Sequence, residues 1–177
     1  TLREEDVKAT FFLLGSWLAN HPDEAKAIVA EGHEIGNHAY WHKTPLSQLS
    51  AEAVRKEISD TQKLIKETLG VEGTLFAPPS GDFNGETVRV AGALGLRTIL
   101  WTLDTIDWKE PPPESIVRKV KARVEPGSLI LMHPTDSARQ ALKGIIREVK
   151  ARGLALGTVS ETISPARSTA VEPMTRF

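Results

Sequence analysis

The sequence predicts an α/β fold, a distorted (β/α) barrel of parallel strands covered by helices and short of its first strand. Three observations carry that expectation. Short apolar runs alternate with helical segments of ten or more residues, the pattern of right-handed βαβ units. Those runs are apolar on both faces, as strands covered by helices on each side must be. Six strand candidates can be counted, the first starting at Val7, whereas a full barrel has about eight. The residues before it, Thr1 to Asp6, read like the tail of a helix, so the chain is expected to start within a domain of 7–8 strands. An open six-stranded sheet would satisfy the same alternation, but the Gly-rich nucleotide fingerprint does not follow the first strand.

The elements follow in order. After the strand Val7–Leu14, Gly15 to Pro22 reads as a turn with a short helix, and Asp23–Glu31 as a helix closed by Gly32. The first half of His33–His42 reads as a short second strand. Ser50 to Leu69 is the longest helix: Ser50 caps it, Gly70 ends it, and Val54, Ile58, Ile65 and Leu69 form its buried stripe. Its charged face reads as solvated surface. The alternation continues with strand Thr74–Ala77, helix Gly85–Leu94, strand Arg97–Leu103, helix Pro113–Val124, strand Ser128–Met132, helix Ser137–Arg152 and a last strand within Leu154–Val159. Residues 1–163 make one domain, and residues 164–177, with Pro165 and Pro173 among small polar residues, a loose tail.

Composition excludes several classes. A chain of 177 residues suits one domain with a sizeable core. Its net charge of −1 leaves no electrostatic footprint for nucleic acid or an anionic membrane. No apolar run approaches the roughly 18 residues of a membrane span, and no signal-peptide pattern opens the chain. The absence of cysteine excludes a disulfide framework and a thiol nucleophile.

The chemistry is expected at the C-terminal ends of strands, where parallel α/β folds gather reactive groups. The second strand runs into His38 and His42. If residues 38–42 form one helical turn, positions i and i+4 share a face with Cβ atoms roughly 5–6 Å apart. Two neutral imidazoles so placed can share one divalent cation. The spacing lacks the Glu of a metalloprotease helix, and a pair of satisfied histidines is the competing reading. The third strand ends in Pro78-Pro79-Ser80-Gly81-Asp82, the fourth in Asp104-Thr105-Ile106-Asp107-Trp108 and the fifth in Leu131-Met132-His133-Pro134. Singly these read as a rigid loop, helix-capping aspartates and a core histidine, with Tyr40, Trp41 and Trp108 as packing residues. Four such strand ends together are expected to face one cleft.

Taken in order, His38-Ala39-Tyr40-Trp41-His42, Ala77-Pro78-Pro79-Ser80, Asp104-Thr105-Ile106-Asp107-Trp108 and Leu131-Met132-His133 resemble the second to fifth signatures of the polysaccharide deacetylase family, also called the NodB homology domain or carbohydrate esterase family 4. Lys8-Ala9-Thr10-Phe11-Phe12 and Glu31-Gly32-His33-Glu34-Ile35-Gly36-Asn37 are similarly worded. Within the family the chain looks most like Bacillus-type sporulation-associated deacetylase-like proteins. The resemblance covers Val7 to Ile163. It implies a distorted barrel and metal-dependent removal of acetyl groups from N-acetylglucosamine units in peptidoglycan or chitin-like polysaccharide, by a bacterial protein that is secreted or held at the envelope. It also implies His38 and His42 as ligands to zinc or a similar divalent ion, the Ser80 backbone N–H beside Pro79 as oxyanion donor, and His133 as the acid that protonates the departing amine. Asp107 would orient His133, and Trp108 and Leu131 would line the acetyl pocket.

The chain departs from the family pattern twice. The Thr-Phe-Asp-Asp strand that supplies the base and a third ligand does not occur in it, and Ala77 and Ser80 stand where the family has Arg and an aromatic residue. These departures open a second expectation, a catalytically impaired glycan-binding or structural module of the envelope. A third is a barrel acting on small cyclic amides.

Overall fold

The computed structural model describes residues 1–163, and the tail expected over 164–177 lies outside them. The described chain divides into two compact units, residues 10–100 and residues 1–9 with 101–163.

The unit over 10–100 is built on four parallel strands, β1 (Thr10–Leu13), β2 (Glu34–Asn37), β3 (Leu75–Phe76) and β4 (Arg97–Thr98), hydrogen-bonded in that order. Thr10 pairs with Glu34 and Leu13 with Asn37, so β1 and β2 end level. Helices α1 (Gly15–Asn20) and α2 (Pro22–Ala30) connect β1 to β2, α3 (Ala51–Leu69) leads to β3, and α4 (Gly85–Ala93) to β4. As expected, Ser50 accepts a hydrogen bond from Ala53 N at α3's start and Gly70 ends it in the left-handed region at φ +68°. Val54, Ile58 and Ile65 are buried. They belong to two apolar clusters, one around Phe76, Leu46 and Val90 and the other around Leu18, Leu13 and Ile35. Burying side chains of this size contributes about 1.5–3 kcal/mol each, and it seats the β2 strand end against α3.

The second unit has the parallel pair β5 (Leu103–Asp104) and β6 (Ile130–Leu131), with α5 (Pro113–Arg123) packed on α6 (Asp136–Ala151) and a short α7 (Val159–Thr162). Leu103, Ile116, Val120, Ile145 and Val149 form its core. Near the N-terminus Glu5 accepts from Lys150 Nζ through its carbonyl and pairs with Lys143 at 3.6 Å, which ties residues 1–9 to α6.

Three expectations are corrected. The strand expected over Arg97–Leu103 is two strands in different sheets. Ile99 N bonds Phe76 O at 2.7 Å, while Thr102 and Leu103 N both reach Leu129 O, so the backbone changes partner in between. No strand forms within Leu154–Val159: Leu154 N still closes on Val149 O, and Thr158 and Glu161 make a reciprocal capping box that starts α7. Thr1 to Asp6 forms turns rather than a helix end.

Candidate functional site

The expected residues fall into two clusters, one in each unit. In the first, β2 ends at Asn37, which is fully buried. Its Nδ2 donates to Ile58 O at 2.9 Å and to Gln62 Oε1 at 3.2 Å on α3, and its Oδ1 accepts from Ala39 N at 2.9 Å. Ala39 takes φ +63°, a left-handed conformation that costs a non-glycine residue of order 1–3 kcal/mol and persists only where neighbours impose it. Residues 38–42 therefore do not make the helical turn that would have put positions i and i+4 on one face. They run as an irregular turn that still brings the two rings to 5.7 Å between centroids at 61°.

His38 Nδ1 lies 2.7 Å from Ala77 O. A carbonyl only accepts, so Nδ1 carries a proton, and in the neutral ring Nε2 is then the lone-pair nitrogen. In metal sites generally, a contact of this kind sets the tautomer and orientation of a ligating histidine. The bond runs to the Ala77 backbone, so it does not depend on the side chain at 77. His42 is exposed. Two imidazoles, one already in the ligating tautomer, fit as two ligands of a divalent ion. Among the described residues no group of three or more His, Cys, Asp or Glu is placed to hold a metal.

In the same unit Pro78 and Pro79 are buried, whereas Ser80 is exposed at φ +54°. The loop is tied down by Asp82, whose two oxygens accept from Ser47 N at 2.7 Å and Ser47 Oγ at 2.9 Å.

The second cluster is centred on Asp107, which is wholly buried. His133 N donates to its Oδ2 at 2.7 Å, His133 Nδ1 lies 3.1 Å from Oδ1, and the hydroxyls of Thr105 and Thr135 approach at 2.7 and 3.3 Å. Burial alone would raise the Asp107 carboxyl, but the hydrogen bonds from His133 and Thr105 together outweigh it and hold the group below its ordinary range. The His133 imidazole is shifted upward, chiefly by its hydrogen bond to Asp107, against partial desolvation and with help from Asp104. Its side chain is 40% exposed. Nδ1 faces the carboxylate, and Nε2 is the nitrogen left to exchange a proton. Asp104 accepts from Ile106 N at 2.8 Å, an Asx turn that shapes the loop. Trp108 is half-buried with Lys109 Nζ 4.8 Å from its ring centroid. Leu131, half-buried on β6, accepts from Thr105 N and lies 2.9 Å from its Oγ1.

The sequence reading missed Thr105 and Thr135, which complete the cage around Asp107, and Asn37, which turns the chain into the imidazole pair. The Thr105-Ile106-Asp107 spacing was a usable signal, since a hydroxyl two residues before a carboxylate can reach it locally. Asn37 announced itself only as a polar residue at the end of a buried strand.

Residues 1–99 match the family model of polysaccharide deacetylases. The chain is 41% identical to the uncharacterized protein YlxY of Bacillus subtilis, over 94% of this chain and 52% of that protein. It is 35% identical to a peptidoglycan-N-acetylglucosamine deacetylase of Bacillus cereus, over 92% and 78%. Among solved structures, wild-type BA3943 of Bacillus anthracis, a CE4 family pseudoenzyme, matches with a TM-score of 0.89 at 40% identity, covering 91% of this chain and 57% of that one. A BA3943 mutant with restored enzymatic activity matches with the same TM-score at 39% identity. The chain thus spans about half of YlxY and under three fifths of wild-type BA3943. The likeness bears out the expected α/β fold class.

Proposed function

The chain belongs to the polysaccharide deacetylase family, and on that premise we propose that it hydrolyses the N-acetyl group of N-acetylglucosamine units in peptidoglycan or a chitin-like polymer at the bacterial envelope. The observation that carries this reading is the buried Asp107 bonded to His133 Nδ1 at 3.1 Å. That arrangement favours the protonated form of the imidazole and turns it by its Nδ1, as an amide-cleaving acid requires. Water adds to the acetamide carbonyl with loss of its proton to solvent, the C–N bond breaks as His133 delivers its proton to the leaving nitrogen, and a free amine and acetate result, His133 regaining a proton from solvent. The Ser80 backbone N–H, beside Pro79, serves the oxyanion, while Trp108 and Leu131 bound the acetyl group.

His38 and His42 would hold a divalent ion, zinc being among those that imidazole donors suit, and when bound it would supply Lewis-acid polarisation of the amide carbonyl. Among the described residues no helix is long and apolar enough to cross a membrane.

A second reading, a catalytically impaired glycan-binding module, is favoured by Ala77 and Ser80 at positions where the family has Arg and an aromatic residue, and by the 40% identity with a pseudoenzyme. Incubating the full-length protein with N-acetylated chitooligosaccharides and zinc separates the two. Free amine that accumulates with wild type and disappears with His38→Ala supports the deacetylase, whereas tight glycan binding without turnover supports the module.

A further inference from the structure

We propose that Glu57 on α3 is a positioning residue for His42, a reading that rests on His38 and His42 being metal ligands. The two imidazoles are fixed in different ways. His38 is anchored directly: its N–H donates to Leu13 O at 3.0 Å and its ring to Ala77 O at 2.7 Å. His42 is exposed and follows an irregular segment with no ladder of its own. The two peptide N–H groups of that segment share a single carboxylate oxygen, Glu57 Oε2, which accepts from Tyr40 N at 3.0 Å and from Trp41 N at 2.8 Å. These are the last two peptide N–H groups before His42.

A carboxylate accepting two N–H groups makes charge-assisted bonds roughly twice as strong as neutral ones. Glu57 is half-buried, and the adjacent Lys56 is engaged by Asp60 at 2.6 Å. The same helix face grips the turn elsewhere. Ile58 O and Gln62 of α3 hold Asn37, and from α1 Ser16 N bonds Tyr40 O at 3.0 Å. Gly15 packs so closely on the Tyr40 ring and Thr61 that an added Cβ would lie 2.4 and 2.6 Å from them. Tyr40 is thus fixed from both peptide faces, and Glu57 extends that order one residue further, to the point where His42 departs. An acceptor that orients a ligand without touching the ion typically changes metal affinity about 10–100-fold when removed.

The test uses the full-length protein as wild type, Glu57→Gln and Glu57→Ala, with zinc titration and amide hydrogen exchange. The Ala variant is expected to bind zinc about 10–100-fold more weakly and to lose protection at the Tyr40 and Trp41 amides while α3 and β2 amides stay protected. The Gln variant, which keeps an acceptor oxygen, is expected to recover most of both. Zinc affinity in the Ala variant within about twofold of wild type, a Gln variant no better than Ala, or loss of protection throughout α3 would overturn the assignment. If wild type binds no zinc, the metal reading fails on its own, and unprotected Tyr40 and Trp41 amides in wild type would overturn the positioning role separately.

Discussion

Both oxygens of Asp107 are engaged by one residue: His133 donates its backbone N–H to Oδ2 at 2.7 Å and presents its ring Nδ1 to Oδ1 at 3.1 Å. The carboxylate thus fixes the histidine's position through the backbone and its ring orientation through the side chain. Proton delivery from Nε2 depends on both.

The pair makes stability depend on pH in a defined direction. His133 is shifted upward from 6.5, so its contribution is fully present below that value and is lost as pH rises through the higher folded value. Asp107 is shifted downward from 3.8, so its contribution is present above that value and is lost as pH falls through the lower folded value. Urea unfolding midpoints are expected to be highest between those two ordinary values as far as this pair is concerned. The His133→Ala variant is expected to flatten the decline on the alkaline side.

Replacing Asp107 by Asn tests whether charge or shape matters. Asn keeps an acceptor oxygen but loses the anion and places an N–H₂ among the donors His133 N, Thr105 Oγ1 and Thr135 Oγ1. Each buried polar group left unpaired costs roughly 1–3 kcal/mol, so a stability loss of that order is expected in urea titrations. The alkaline limb of turnover should move to lower pH, because the imidazole loses the anion that keeps it charged.

Gly15→Ala is expected to disturb the imidazole turn from a position that bears no chemistry. The new methyl would meet the Tyr40 ring at 2.4 Å and Thr61 Oγ1 at 2.6 Å, and overpacking of this kind costs about 1–3 kcal/mol. Thermal unfolding should register the loss, and zinc affinity should fall with it because Tyr40 lies between His38 and His42.

Helix α3 was legible because its signals are local: a serine cap, a glycine stop and an apolar stripe at helical spacing. The break at Ile99–Thr102 was not, because the run is uniformly apolar and the partner change is set by Phe76 O and Leu129 O, far away in sequence. The α7 turn was readable from Thr158 and Glu161, whose capping spacing outweighed the apolar run before it.

The site divides in the same way. The identities of His38, His42, Asp107 and His133 stood out as ordered polar residues at strand ends, and the fold sets Asp107 Oδ1 3.1 Å from His133 Nδ1. The geometry of residues 38–42 did not stand out, since the left-handed Ala39 is imposed by Asn37, and the Tyr40 and Trp41 peptides are held by Glu57 from 17 and 16 residues away.

The most direct measurement is acetate release from an N-acetylglucosamine oligomer by the full-length zinc-loaded protein, wild type beside His133→Ala, with bound zinc quantified in both. Steady release by wild type, a fall of roughly 10²–10⁴ in the variant and equal zinc in the two are the predicted results. Release that is undetectable in wild type, or equal in both proteins, would contradict the role given to the Asp107–His133 pair.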